Sequence, residues 1–295
     1  MPSVAVYSAF VLLGASVAAF IYYINHMAHA IRASSVIASI ASETRSAIDR
    51  IYPAEADESQ AATAHDPEEL IQSRRWRTVN SRNAGTVVDV DEGAIIKHAA
   101  EEGVIVELVP LIGDFIPRDM PLFRVSDGKH RPGAEAAEEF DGRLRSMVSL
   151  DRERTMQQDP AFGFRQLVDV GARALSPGTN DPTTCVQAID QLHDLLLQLV
   201  DRSFPSAVLA DDEGEPRLIV RHTGWEEFVR LAVDELGIYA ERHIRVVQRL
   251  EHMLRSLAER CPPHRVAVVR VELVRLHRQV ARLGDEAGAF GTYRR

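Results

Sequence analysis

The chain has 295 residues, 45% of them hydrophobic and 26% charged, which is enough for one large domain or two to three small ones and excludes a disordered or fibrous class. A formal net charge of -9 argues against a dedicated nucleic-acid binder, which is ordinarily basic. The two cysteines, Cys185 and Cys261, have no ligand-like spacing and read as free thiols of a reducing compartment. Lys97 and Lys129 are the only lysines beside many arginines, a bias of coding before it is a sign of an anion site.

The first predicted element is "VAVYSAFVLLGASVAAFIYYI", Val4 to Ile24, which carries no charge. Its length matches the roughly 20 residues that a helix needs to cross a bilayer. Tyr22 and Tyr23 stand where an aromatic belt lies, and Gly14/Ala18 and Ala15/Ala19 make small-xxx-small pairs. A cleaved export signal would want a basic start and a shorter apolar run, although "AHA" at Ala28 to Ala30 has the form of a cleavage site. The expectation is a single-pass anchor in the inner (plasma) membrane. Arg32, Arg45 and Arg50 follow the span, which places the bulk of the chain in the cytoplasm by the positive-inside rule.

Beyond the span, Met27, Ile31, Ile37, Ile40, Thr44, Ala47, Ile48 and Ile51 recur at helical spacing. With no proline between Pro2 and Pro53, the pattern predicts one helix from about Val4 to Tyr52, roughly 70 Å long. Its second half would be a stalk whose narrow apolar stripe needs a partner, either the same stalk of a second subunit or the downstream domain. Near-heptad steps tilt the expectation toward self-association. The segment 53–75, acidic and alanine-rich at first, reads as a linker, with a helical start after Asp66-Pro67.

A small β module is expected over 76–130. "GTVVDV" alternates like a strand, and "DEGAIIKHAAEEG" reads as a short helix ended by Gly103. "VIVELVPL" is a second strand, and "IGDFIPRDMPLFRV" a turn and a strand ending at Val125. "GDFIPRDMPLFRV" resembles half of a biotinyl/lipoyl-like barrel-sandwich. That family's modified lysine has no counterpart here, because Lys97 falls inside the predicted helix, so the resemblance implies the shape and not swinging-arm chemistry.

A mainly helical domain is expected over 135–284, with a tail at 285–295. In "RTMQQDPAFGFRQLVDVGARALSPGTNDPTTCVQAIDQL", Phe164, Leu167, Val168, Gly171 and Leu175 form one apolar face. Val186, Ile189, Leu192, Leu195, Leu196 and Leu199 line the next helix. "SPGTNDP" joins the two. Pro177 pushes Ser176 out of helical geometry, Gly178 is the expected positive-φ residue, Asp181 is an N-cap and Pro182 a first helical residue. The start of the second helix also offers free N–H groups beside Thr183 and Thr184. Together with Arg165, Asp169, Arg173, Ser176, Asn180 and Asp181 they form a candidate small-anion site. The alternative, which is preferred, is an internal network in which Asp159 or Asp169 occupies the same place.

That segment resembles the signature of a bacterial membrane-protein family, domain of unknown function 2254. The "GDFIPRDMPLFRV" module and the leading "IYYINHMAHAIRAS" stretch fit the same family in the same order. Cys185 stands where alanine is usual and Asp119 where glycine is usual. The resemblance implies several transmembrane helices in typical members, with the start of this sequence expected just before the last of them. The resemblance implies a membrane location and a fold, and no activity.

Farther on, "AVLADDEGEPRLIV" reads as a β-hairpin, and Thr223 with Glu226 as a capping box before "WEEFVRLAVDEL". Two amphipathic helices follow, separated at Pro262-Pro263. The histidines show no metal-ligand spacing, and there is no Walker loop, dinucleotide fingerprint or GxSxG elbow. The fold class expected is therefore α+β, with no catalytic residue, metal or cofactor assigned. Expected partners are membrane lipid and further copies of the chain, with a small anion as an additional ligand and no nucleic acid. The function expected is that of a homo-oligomeric assembly or transport-like component; the alternative is an enzyme or small-anion sensor using the Ser176–Thr184 loop.

Overall fold

The protein is described by a computed structural model that covers residues 2–30, 33–54, 66–128 and 133–291. Side chains are described from 7 to 22 in the first helix and up to 279 in the last. It is an α+β structure. Helix α1 (Pro2–Ala30) is followed by α2 (Ala33–Ile51), and residues 31–32, on which the continuity of a single long helix turns, lie outside the described residues. The described side chains of α1 form a stretch shorter than the about 20 residues a crossing requires. Among the described residues, no helix is long and apolar enough to cross a membrane.

Helix α2 differs from the free stalk expected. Ile37, Ala41, Thr44, Ala47 and Ile48 are buried, and α2 packs on α6 (Pro160–Ala174) and α7 (Pro182–Val200) of the same chain. The apolar stripe is thus spent inside the chain, and self-association through it is corrected: the downstream domain is its partner. The physical reason is Gly163. A β-carbon there would lie 2.8 Å from Thr44 Cβ and closer still to Thr44 Oγ1, so only glycine lets the two helices come this near. Thr44 donates its hydroxyl to Ile40 O at 2.6 Å, which removes the cost of burying it. At the far end of α2, the Tyr52 hydroxyl donates to Thr223 O at 2.9 Å, and its ring meets Phe204 and Phe228.

After residues 55–65, outside the described set, α3 (Pro67–Gln72) starts on the Asp66 cap and Pro67, as expected. Two sheets follow. One has the order β1-β5-β3-β8-β7, from Trp76–Asn80, Pro121–Ser126, Val106–Leu108, Pro216–Ile219 and Val208–Ala210. The other has the order β4-β2-β6, from Phe115–Ile116, Gly85–Val90 and Val148–Asp151. The sheets therefore draw on more of the chain than 76–130. The β7–β8 hairpin is recruited by the open edge of β3, where Val106 and Glu107 pair parallel to Leu218 and Ile219. Helix α4 (Glu92–Glu102) ends on Gly103 in left-handed geometry, as expected, and contains Lys97. The strands β1 and β6 and helix α5 (Ala134–Ser146) are elements the sequence pattern does not predict.

The remaining helices are α8 (Trp225–Tyr239), a 3-10 turn at Ala240–Arg242, α9 (Ile244–Arg260) and α10 (Val266–Gly291). The cap of α8 is shifted by one residue from the expected Thr223/Glu226: Gly224 is the N-cap and its N–H donates to Glu227 Oε2 at 2.9 Å. The Thr223 carbonyl is engaged by Tyr52 instead. Arg265 ties off α7, donating to Leu199 O, Val200 O and Arg202 O at 2.6–2.8 Å. A cation on orphan carbonyls at a helix C-terminus is favourable both as hydrogen bonds and against the helix dipole.

The glycine contact yields a test. Gly163→Ala overpacks the α2–α6 seam and is expected to cost about 1–3 kcal/mol in denaturant unfolding of the detergent-solubilised chain. Adding Thr44→Ala, which removes the hydroxyl and the methyl, recovers part of that loss, whereas adding Thr44→Ser, which keeps the nearest atom, recovers less.

Candidate functional site

The SPGTNDP corner joins α6 to α7. Helix α6 closes with Leu175 N–H on Gly171 O and Ala172 O, after which Asn180 N–H reaches back to Ser176 O at 2.9 Å and Asp181 N–H to Ala174 O at 2.7 Å. Among the described residues, the left-handed residue of this corner is Asn180, with φ 46°, and not Gly178. The expectation of positive φ at Gly178 is corrected. Asparagine is among the few residues that enter this region at low cost, so the turn is made without using the glycine. Gly178 sits exposed, and a β-carbon added there would meet nothing within 4 Å.

Asp181 fills the N-terminus of α7. Its Oδ1 accepts from Thr183 N–H at 3.0 Å and Thr184 N–H at 3.2 Å, and its Oδ2 from the Thr184 hydroxyl at 2.6 Å. The hydroxyl and amide donors of Thr184 hold the Asp181 carboxyl below the usual carboxylate range. The carboxylate at this helix end is neither Asp159 nor Asp169. Asp159 caps α6 and pairs with Arg154 at 2.5 Å, and Asp169 is exposed on α6. The Ser176 and Thr179 hydroxyls are 3.3 Å apart. Arg165 reaches Glu235 of α8 at 3.5 Å, and it lies eight residues, about 12 Å of helix, before Arg173. The structure thus joins Asp181, Thr183 and Thr184, keeps Arg173 on the same corner, and directs Arg165 elsewhere. Arg173 is exposed and has no acidic partner among the described residues.

A second site lies at the opposite end of α2. A cleft of about 880 Å³ opens between the last turn of α2, the start of α4 and the β7–β8 hairpin. Arg50, Glu92, Gln158, Asp211, Asp212 and His222 supply its polar wall, and Ile51, Ile96, Ile112 and Leu209 its apolar one. His222 Nε2 stands 3.9 Å from Glu92 Oε1, too long for a hydrogen bond. Burial pushes the Glu92 carboxyl up and the His222 imidazole down, so both groups are shifted toward their neutral forms. A perturbed acid and base in one cleft makes that cleft a candidate site. Gln158 bonds Val90 N–H at 3.0 Å and holds the front of the α6 motif against the sheet. Arg50 donates to Gln157 O at 3.1 Å, while Asp211 is engaged by Arg217 at 2.6 Å. The sequence pattern does not reveal this cleft, because its wall comes from five separated segments. The one signal for it is the clustering of "QQDP" ahead of α6, which by itself reads only as a cap. Among the described residues, no group of three or more metal-ligating side chains is placed to hold a metal ion.

Over residues 1–256 the chain matches the family described as Predicted membrane protein (DUF2254). It is 30% identical over 270 residues to an uncharacterized protein of Mycobacterium tuberculosis (strain CDC 1551 / Oshkosh), covering 91% of this chain and 51% of the relative. An uncharacterized protein of Mycobacterium bovis (strain ATCC BAA-935 / AF2122/97) shows the same identity and coverage. The chain spans about half the length of these curated relatives. No solved structure matches it.

The corner geometry predicts an asymmetry between two neighbouring residues. Asn180→Val places a β-branched residue at positive φ and is expected to lower stability by about 1–2 kcal/mol. Gly178→Val, in open space and at ordinary φ, stays within about 0.5 kcal/mol of wild type. Thermal unfolding of the two variants side by side checks this.

Proposed function

We propose, for this chain, which belongs to the Predicted membrane protein (DUF2254) family, the role of a membrane-anchored ligand-binding protein: α1 inserts in the bilayer, the remainder lies on its cytoplasmic side, and the Glu92/His222 cleft takes a small polar ligand. The observation that carries this reading is the position of α2. The helix begins three residues after the apolar α1 ends, buries one face in the core from Ile37 to Ile48, and contributes Arg50 and Ile51 to the cleft. Occupancy of the cleft is therefore felt by the helix that leads into the membrane. Arg45 and Arg50 follow the apolar segment, which supports a cytoplasmic placement.

A second reading keeps a small-anion site at Arg173 and the Ser176–Thr184 loop, favoured by the unpaired Arg173 guanidinium beside exposed hydroxyls. The assembly reading loses the stalk seam on which it stood, because that stripe is internal.

Carbonate-washed membranes are expected to retain the chain; its release into the wash overturns the anchor. A thermal-shift screen of the detergent-solubilised chain against inorganic phosphate, nucleotides and small carboxylates tests the cleft. A binder at 100 times its dissociation constant stabilises by about 2.7 kcal/mol. Gly93 lines the cleft, and a β-carbon there would meet only Asp91 Oδ1, at an ordinary contact of 3.8 Å, so Gly93→Phe plugs the cleft and is expected to abolish the shift while leaving the unliganded melting point close to wild type. A shift that survives Gly93→Phe and disappears in Arg173→Gln moves the site to the loop.

A further inference from the structure

The helices of the domain run in two opposed sets, and this gathers unrelated segments at one end. Helices α2 and α7 run parallel: Arg45 pairs with Asp194, and Asp49 accepts from Gln198 at 2.7 Å, the same sequence offset in both cases. Continued backward, that register sets Ala33, the first residue of α2, level with Pro182, the first residue of α7. Helices α6 and α8 are also parallel, since Phe164 meets Phe228 with ring centroids 4.9 Å apart and Gly171 lies against Leu236. So are α7 and α9, through Asp190–Arg249 at 2.5 Å and the His193–His252 ring pair. The start of α2, the SPGTNDP corner, the end of α8 and the start of α9 therefore form one face.

That face exposes large apolar side chains close to arginines. Ile238, Tyr239 and Ile244 are 58%, 49% and 62% exposed, and Val36 of α2 joins them. Arg173, Arg242 and Arg245 are exposed on the same end, and none meets a carboxylate among the described residues. Of the acids nearby, Asp181 caps α7 and Glu241 accepts from Gln279 at 3.3 Å, while Asp169 is exposed one turn before Arg173. Isolated surface hydrophobics need no explanation, but apolar side chains ringed by unpaired arginines are the composition of a surface that lies in a lipid interface. Tyrosine favours the headgroup level, and arginine pairs with phosphate through its planar fork.

The chain supplies the geometry as well. Ala30, the last residue of α1, stands three residues before Ala33, and three residues span at most about 11 Å. The end of the apolar helix is thus tethered to this face, whatever the course of residues 31–32.

We propose that this face, built from the SPGTNDP corner and the α8–α9 corner, is a docking surface for an anionic lipid bilayer, with Ile238, Tyr239 and Ile244 seated at the headgroup level and Arg173, Arg242 and Arg245 on headgroup phosphates. The proposal rests on α1 being the membrane anchor. It gives the exposed loop of the family-like motif a partner without requiring a soluble ligand: the hydroxyls of Ser176, Thr179 and Thr183 and the Arg173 guanidinium face the same phosphates. It also sets the Glu92/His222 cleft, at the other end of α2, away from the bilayer.

The test uses the full chain in vesicles of phosphatidylcholine with and without phosphatidylglycerol. Nitroxide labels are placed singly at Leu13→Cys, Ile244→Cys and Phe115→Cys in a Cys261→Ser background, with Cys185 left in place because it is fully buried. Collision with oxygen reports lipid, and collision with a water-soluble nickel chelate reports water. In phosphatidylglycerol-containing vesicles the Ile244 label is expected to be shielded from nickel as the Leu13 label is, while the Phe115 label, on the sheet, stays accessible. The Ile244 shielding is expected to be lost without phosphatidylglycerol and in the Arg242→Gln/Arg245→Gln variant. An Ile244 label as accessible as Phe115 while Leu13 is in lipid overturns the docking face and leaves the anchor standing. A Leu13 label in water overturns both. Shielding at Ile244 that persists without phosphatidylglycerol overturns the assignment to anionic headgroups.

Discussion

The close approach of α2 to α6, made possible because Gly163 has no side chain opposite Thr44, is the constraint on which the rest of the structure depends. Two helices normally pack about 8–10 Å apart, and a glycine at the crossing brings backbones to the near end of that range. With α2 seated there, Ile37 and Ile48 fall into the helical core, Arg45 and Asp49 find their partners on α7, and Tyr52 reaches Thr223. A helix that sequence alone would leave protruding is instead an internal member of the domain. Its two ends then acquire different work: the first turn borders the face proposed to meet lipid, and the last turn borders the cleft.

Arginine does much of the joining, and it does so in two ways. Arg265 and Arg202 donate to main-chain carbonyls at the end of α7 and at Tyr52, and so add side-chain hydrogen bonds where helices end. Arg154 pairs with Asp159, whose carboxyl burial pushes up and Arg154 pulls down. Gly113, at φ 94°, leaves room for that pair, because a β-carbon there would lie 2.5 Å from Arg154 Nε. The turn of the β layer and the cap of α6 are thus fitted to each other at one point, which fixes the sheets against the helices and holds Gln158 in the cleft wall. His193, half-buried between α7 and α9 beside Arg249, is driven down to about 4, first by burial and then by that guanidinium, so it serves the interface as a neutral group.

Local signals in the sequence are dependable where one residue has one structural job. Asp66-Pro67, Asp159-Pro160 and Asp181-Pro182 each start a helix, and Gly103 ends one in left-handed geometry. The turn at SPGTNDP is legible as a turn but not in its detail, because Asn180 competes with Gly178 for the positive-φ position and only the fixed distance between the two helices decides which takes it. The partner of the α2 stripe is illegible for a different reason. Apolar periodicity records that a face is buried and carries no record of what buries it; the deciding residue, Gly163, lies more than a hundred positions away and looks like any helix glycine. The cleft shares that difficulty, since Arg50, Glu92, Gln158, Asp211 and His222 have no common spacing. Of the candidate anion-site residues, Asp181, Thr183 and Thr184 are adjacent enough in sequence for their contact to be foreseen, whereas the engagement of Arg165 by Glu235 depends on how α8 lies on α6.

Amide hydrogen exchange on the full chain tests most directly whether α2 is a core helix or a separable stalk. If it belongs to the core, the amides from Ile37 to Ile48 open with the same free energy as those of α6 and α7, in one cooperative unit. Exchange of α2 that is much faster than that of α6 and α7, while those two stay protected, would contradict the account, because the helix leading to the proposed anchor would then open without disturbing the domain it is said to hold.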